Sequence, residues 1–301
     1  MIEKIPLKGI KIGHKTIKDK GSGVTALIFE DTFKAGCGWK GFSTSTRQFD
    51  SLNSLHSVEG INGLCLTGGS AFGLTAGGGV QKLLLKKKKG LSVRNKTIVP
   101  IVPTAAIFDL LYKDIYYPTE NDGYDAAENA SDTFEVGNVG AGTGATVGKL
   151  LSLKQTDKGG LGFSYNIING ITIMVLTVVN NFGNILDQNG NTIAGVRDNN
   201  GEFITDFMKH FKNYSPNPSE NTNLSVVLTD AELTREELIK LSKSSVTAFS
   251  KHFYPALSSA DGDVIVAIST GDKKSVLDII INGTIETIGE SIVQAIKYSK
   301  E

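Results

Sequence analysis

The chain has 301 residues, 40% hydrophobic and 21% charged, which excludes a disordered polymer and allows one large core or two modest ones. Its 31 basic and 31 acidic side chains cancel, so no long-range field draws it to nucleic acid or to an anionic membrane, and a small neutral or zwitterionic partner fits better. The run from Met1 to Lys8 lacks the apolar centre of a signal peptide, and no apolar stretch reaches the ~18 residues of a membrane span; a cytoplasmic protein is expected.

In chain order, residues 24–29 read as a strand and 33–39 as a second. Cys37 and Cys65 lack CxxC spacing or a Cys/His cluster and are read as buried thiols. Residues 63–66 form a short apolar strand ending at Gly68-Gly69. A helix is then expected over 71–85, and its glycines at 77–79 would let it approach a neighbour closely. Lysines 86–89 suit its last turn and Gly90 its C′ position. Residues 98–102 read as a strand at a sheet margin or bulge, because Pro100 cannot donate a ladder bond, and 125–129 as a short helix. The run 171–180, almost all apolar and β-branched, is the candidate central strand, covered on both faces. From 187 to 219 the chain turns polar, as an exposed connection would. A strand at 222–229 follows; Thr229-Asp230-Ala231-Glu232 matches a capping box opening a helix to about 249. A strand at 263–269 and a helix at 284–298 close the chain, and the mixture implies layered α/β packing.

Several motifs fail on inspection. Residues 68–73 miss the GxSxG elbow because Phe72 takes the second glycine position. Gly148-Lys149-Leu150 lacks the flanking residues of a phosphate loop. Residues 140–145 match G-x-G-x-x-A without a surrounding βαβ unit, which leaves an anion- or nucleotide-binding protein using the 137–148 segment as a non-enzymatic alternative. His14, His56, His210 and His252 show no ligand spacing, so neither a catalytic metal nor a cofactor is expected.

The chemistry concentrates at Asn221-Thr222, where a Pro/Asn/Ser-rich run, read as an exposed turn, feeds an alternating strand. If that peptide bond breaks, Thr222 becomes an N-terminus whose amine titrates near ~7.7–8 and can act as base for its own hydroxyl. The α chain would be 1–221 and the β chain 222–301. Asp261 and Asp263, two residues apart, share one face of a strand and can both point at the start of the Thr222 strand if the two strands are neighbours.

Four segments accompany this pair: Leu66-Thr67-Gly68-Gly69-Ser70-Ala71-Phe72-Gly73-Leu74, Val99-Pro100-Ile101-Val102-Pro103, the glycine-rich run 137–149, and Asp261-Gly262-Asp263-Val264-Ile265. Together they resemble the DmpA-type aminopeptidases and their relatives, the 6-aminohexanoate-oligomer (nylon-oligomer) hydrolases, from about Gly23 to about Ala295. The resemblance implies a single domain of α/β class, an αββα sandwich of the DmpA and ornithine-acetyltransferase type, N-terminal-nucleophile-like. It implies an amidohydrolase working through an acyl-Thr222 intermediate on small peptides, amino-acid amides or esters, or oligoamides, with acyl transfer or hydrolysis of a pantetheine-type amide as alternatives. Asp261 and Asp263 would polarise and orient the nucleophile. Asn180 would serve the oxyanion, with Asn181 as fallback and Lys149 as a second candidate. Phe108 stands where some relatives carry a pocket tyrosine and lacks its hydroxyl. Homo-oligomers of αβ pairs are implied as well.

Overall fold

The computed structural model describes residues 1–151, 155–211 and 221–300. Its framework strands are β1 (Ile10–Ile17), β2 (Ser22–Lys40), β3 (Ser45–Arg47), β4 (Ile61–Thr67), β5 (Thr104–Ala106), β6 (Gly160–Ile168), β7 (Ile171–Val179), β8 (Leu224–Ala231) and β9 (Val264–Lys273). The helices that cover them are α1 (Ala76–Lys86), α2 (Glu120–Glu128), α3 (Arg235–Ser245), α4 (Thr247–His252) and α5 (Leu277–Ser299). One hydrogen-bonded path runs β6-β7-β8-β9-β2-β4-β5-β3, with β1 also on β2. The path folds into two stacked sheets because β2 belongs to both. Its first half pairs with β1 and β4, its second half with β9, and a register shift separates Ile28 from Phe33.

Side-chain alternation builds the layers. On β7, Met174, Leu176 and Val178 face the space between the sheets, where they meet Leu224, Val226 and Leu228 of β8, Val264 and Val266 of β9, and Leu27, Phe29 and Leu64 of the other sheet. The intervening Ile173, Val175 and Val179 pack with Ile265 and Ala267 under α3, α4 and α5. On the opposite outer face Val24, Ala26, Ile28 and Cys65 lie under α1 and α2. The order is helix, sheet, sheet, helix, the expected αββα sandwich.

Several elements depart from expectation. The two strands read at 24–29 and 33–39 are one, because both halves find ladders on either side of an exposed kink at 30–32. The helix expected from residue 71 starts at Ala76 after a separate turn, Ser70–Gly73. It ends at Lys86, and the C′ position expected for Gly90 is taken by Lys88, φ 56°. Residues 97–99 form a small hairpin with 91–93, while the sheet strand is β5, past Pro103. The helix at 125–129 begins earlier, at a capping box of Thr119 and Asp122. β7 is buried throughout, but the centre of its sheet is β8. The strand after Asn221 starts at Leu224 and runs through Ala231, so the helix opens on the next capping box, Thr234 with Glu237. The polar connection contains a short strand at 192–194, paired with 184–186 just before it, and its stretch 212–219 lies outside the described residues. Cys65 is buried and Cys37 half-buried; burial pushes both thiols up to about 12.

Candidate active site

β8 and β9 run parallel, and the register that pairs Leu224 with Val264 also brings Asn221 beside Asp261. That one pairing gathers most of the sequence candidates. The N–H of Gly262 donates to the Asn221 carbonyl (2.8 Å) and that of Val264 to the Asn223 carbonyl (2.9 Å), while Thr222 N–H donates to the Asn180 carbonyl at the end of β7 (3.0 Å). On the other side, Ser43 N–H donates to Asp261 O (3.1 Å) and Gly41 N–H to Asp263 O (2.7 Å). The Asp-Gly-Asp segment is thus held between Asn221–Asn223 and the chain leaving β2. Thr222 is only 3% exposed and Asn221 2%, which corrects the exposed turn expected there: two neighbouring segments satisfy the backbone of these residues, so it can be buried.

The Thr222 hydroxyl donates to the Asn221 carbonyl oxygen at 2.7 Å. Asp263 Oδ1 accepts from Asn223 N–H (2.7 Å) and from Asn223 Nδ2 (2.9 Å), and Asp261 Oδ2 accepts from Ser258 N–H (2.7 Å). Burial raises the Asp261 carboxyl above its usual range. Burial, reinforced by the negative charge of Asp261, pushes Asp263 up to about 8, and the positive charge of Lys149 opposes the rise in both.

Lys149 is buried. Its ammonium donates to Asn180 Oδ1 (2.7 Å) and to the Asn180 carbonyl (3.2 Å), the carbonyl that also holds Thr222 N–H. Asn180 Oδ1 accepts in addition from Thr146 N–H (3.0 Å), and its Nδ2 donates to the Phe108 carbonyl (3.2 Å). Phe108 therefore meets the site through its backbone. Asn181 joins through Asn223, whose Nδ2 donates to Asn181 Oδ1 (3.1 Å). Asn181 Nδ2, Asn221 Oδ1 and Asp261 Oδ1 are buried without a hydrogen-bond partner, which is unusual enough to mark a site.

Sequence reasoning missed Asn223 and Gly262. Asn223 is fully buried and links four neighbours, its Oδ1 accepting from Asn180 N–H (3.0 Å); the available signal was an amide side chain just before a mostly apolar strand. Gly262 acts through its N–H and its lack of a side chain. The glycine-rich segment is not an open cradle: residues 140–149 are buried, and the Lys158 ammonium caps the carbonyls of Gly142 (3.1 Å), Ala145 (2.6 Å) and Gly159 (3.1 Å). Among the described residues no three His, Cys, Asp or Glu side chains group as a metal site, and no helix is long and apolar enough to cross a membrane.

The arrangement of hydroxyl, adjacent carbonyl, two high-pKa carboxyls and a buried ammonium suits acyl transfer to oxygen. Comparison with known proteins points the same way. The family model of peptidase family S58 matches residues 5–300. An uncharacterized aminopeptidase of Mycobacterium leprae (strain TN) is 31% identical over 297 residues, 88% of this chain and 77% of that one. The 6-aminohexanoate-oligomer endohydrolase of Agromyces sp. (strain KY5R) is 28% identical over 218 residues, 69% of this chain and 60% of that one. Among solved structures, the L-aminopeptidase D-Ala-esterase/amidase of Ochrobactrum anthropi, a variant of the Ntn hydrolase fold, matches with a TM-score of 0.73 at 18% identity, over 97% of this chain and 86% of that one.

Proposed function

The chain belongs to peptidase family S58 and is an amide-bond hydrolase, and on that premise we propose that it cuts itself after Asn221 and that the freed Thr222 is the nucleophile of the mature enzyme. The observation that carries this reading is the 2.7 Å contact between the Thr222 hydroxyl and the carbonyl oxygen of the preceding residue, made inside a buried polar cluster. A neutral threonine hydroxyl is a weak nucleophile, so the groups around it must take its proton and stabilise charge on the carbonyl.

After the cut, the nitrogen that now donates to the Asn180 carbonyl is a primary amine with a reference pKa near ~7.7–8. The same carbonyl would hold one of its hydrogens and turn its lone pair toward the hydroxyl. Lys149, on that carbonyl too, would place positive charge beside the amine and favour its neutral form. Thr222 Oγ1 would then add to the substrate carbonyl while the amine takes the hydroxyl proton. The substrate C–N bond breaks, the leaving nitrogen receives that proton, and water hydrolyses the acyl-Thr222 ester. Asp261 and Asp263 would orient these groups from the neighbouring strand. The activities for which the two relatives are named, aminopeptidase and 6-aminohexanoate-oligomer endohydrolase, favour short peptides, amino-acid amides and oligoamides as substrates.

Mass spectrometry of the purified protein is expected to give two chains meeting between Asn221 and Thr222. Thr222→Ala is expected to remain one chain and to release no amine from a panel of amino-acid amides, short peptides and 6-aminohexanoate oligomers. A Thr222→Ala protein that still splits there, or that hydrolyses the panel at the parent rate, overturns the assignment.

A further inference from the structure

We propose that the main-chain N–H of Gly262 is the donor that stabilises the oxyanion formed when the precursor cuts itself. This rests on the self-processing reading above and assigns it a group that carries no side chain.

The Asn221 carbonyl oxygen accepts two hydrogen bonds, one from Thr222 Oγ1 (2.7 Å) and one from Gly262 N–H (2.8 Å). Only the second can last through the reaction. When Oγ1 bonds to the carbonyl carbon its proton leaves, and the negative charge that grows on the oxygen faces Gly262. Two of the nearby side-chain amides are engaged elsewhere, and the third makes no hydrogen bond with this oxygen. Asn180 Nδ2 donates to the Phe108 carbonyl, Asn223 Nδ2 donates to Asn181 and Asp263, and Asn181 Nδ2 makes no hydrogen bond to Asn221.

The donor is also held in place before reaction. Ser43 N–H binds the carbonyl of Asp261, Gly41 N–H binds that of Asp263, and Val264 N–H binds Asn223, so the peptide carrying the Gly262 N–H is fixed on both sides and need not reorganise. Glycine is required at this point for a separate reason. A Cβ there would lie 2.6 Å from Thr222 Oγ1 and 2.6 Å from the Ser43 carbonyl, so any side chain would push the hydroxyl off its carbonyl.

The step balances without an outside reagent other than water. The Thr222 Oγ1 bond to the Asn221 carbonyl carbon forms, the C–N bond to Thr222 breaks, and the hydroxyl proton ends on the departing nitrogen, leaving an ester and a free amine. Water then adds to the same carbonyl carbon, releasing the Asn221 carboxyl group and restoring the hydroxyl. The oxygen facing Gly262 N–H carries the charge in both additions.

The test replaces Gly262 in the full chain by glycolic acid through nonsense suppression, which exchanges the N–H for an oxygen and adds no side chain. Cleavage followed by mass spectrometry is expected to slow by about 100- to 1000-fold, the usual loss for one oxyanion donor. The same exchange at Gly137, whose N–H donates to the Leu161 carbonyl at 2.8 Å outside the site, is expected to leave the rate within a few-fold of the parent. A Gly262 ester that cuts at the parent rate, or a Gly137 ester that slows equally, overturns the assignment. A parent chain that never cuts after Asn221 would instead remove the self-processing reading itself, so the two failures are distinct.

Discussion

Asp263 is fully buried beside a second acid, and its carboxyl is pushed up to about 8 from an ordinary value near ~3.9. Between those values the folded chain keeps a proton that the unfolded chain has lost. The contribution to stability is therefore complete below pH ~4 and is lost as pH rises through about 8. In a Thr222→Ala background, expected to keep the chain in one piece, calorimetry is expected to show a Tm that falls between pH 5 and pH 9. Asp263→Asn, which can still accept both Asn223 hydrogen bonds through its amide oxygen, is expected to flatten that slope; an unchanged slope would assign the pH dependence to another group. Thr222, Asp261, Asp263, Asn180 and Lys149 are legible in the sequence as candidates, and the fold brings them to one end of β7, β8 and β9. Asn223 and Gly262 are not, because their contributions are a hub of hydrogen bonds and a single N–H. Sequence displays side-chain chemistry and is silent on which backbone group faces which carbonyl.

At the scale of elements, glycine sets how closely helices can approach. A Cβ at Gly79 of α1 would lie 1.8 Å from the Glu120 carbonyl of α2, and one at Gly123 of α2 would lie 1.8 Å from the Ala76 carbonyl of α1. Backbone against backbone leaves nothing flexible to yield, so Gly123→Ala is expected to cost at least about 2 kcal/mol, in the upper part of the overpacking range, and to lower Tm by several degrees in thermal unfolding. A neutral result would mean that the helices can separate cheaply. The close approach was readable from three consecutive glycines in a helical pattern. Where helices and strands begin was less so. Thr229 with Glu232 and Thr234 with Glu237 both have capping-box spacing, and the choice is made by the β8–β9 ladder, which runs on to pair Ala231 with Lys273 and holds Thr229 in a strand. The long β2 read as two strands because its exposed kink resembles a turn until both ladders are seen.

For the whole molecule, the position of the proposed cut within the sheet order decides what the cut can do. β8 lies between β7 and β9, and β9 pairs with β2, so strands of the 222–301 piece are inserted between strands of the 1–221 piece. The two chains are expected to co-elute in gel filtration under native conditions and to part only in denaturant. Two separate peaks in native buffer would contradict this interleaving. The proposed cut would also require the fold, since the Gly262 N–H reaches the Asn221 carbonyl through the parallel pairing of β8 with β9. β2 adds a constraint of another kind. It starts in one sheet, crosses to the other, and the residues just past its end, Gly41 and Ser43, brace the Asp-Gly-Asp segment. This strand is a ruler: the number of residues along it fixes where the brace arrives, so the depth at which the acid pair sits is measured out from the opposite face of the protein.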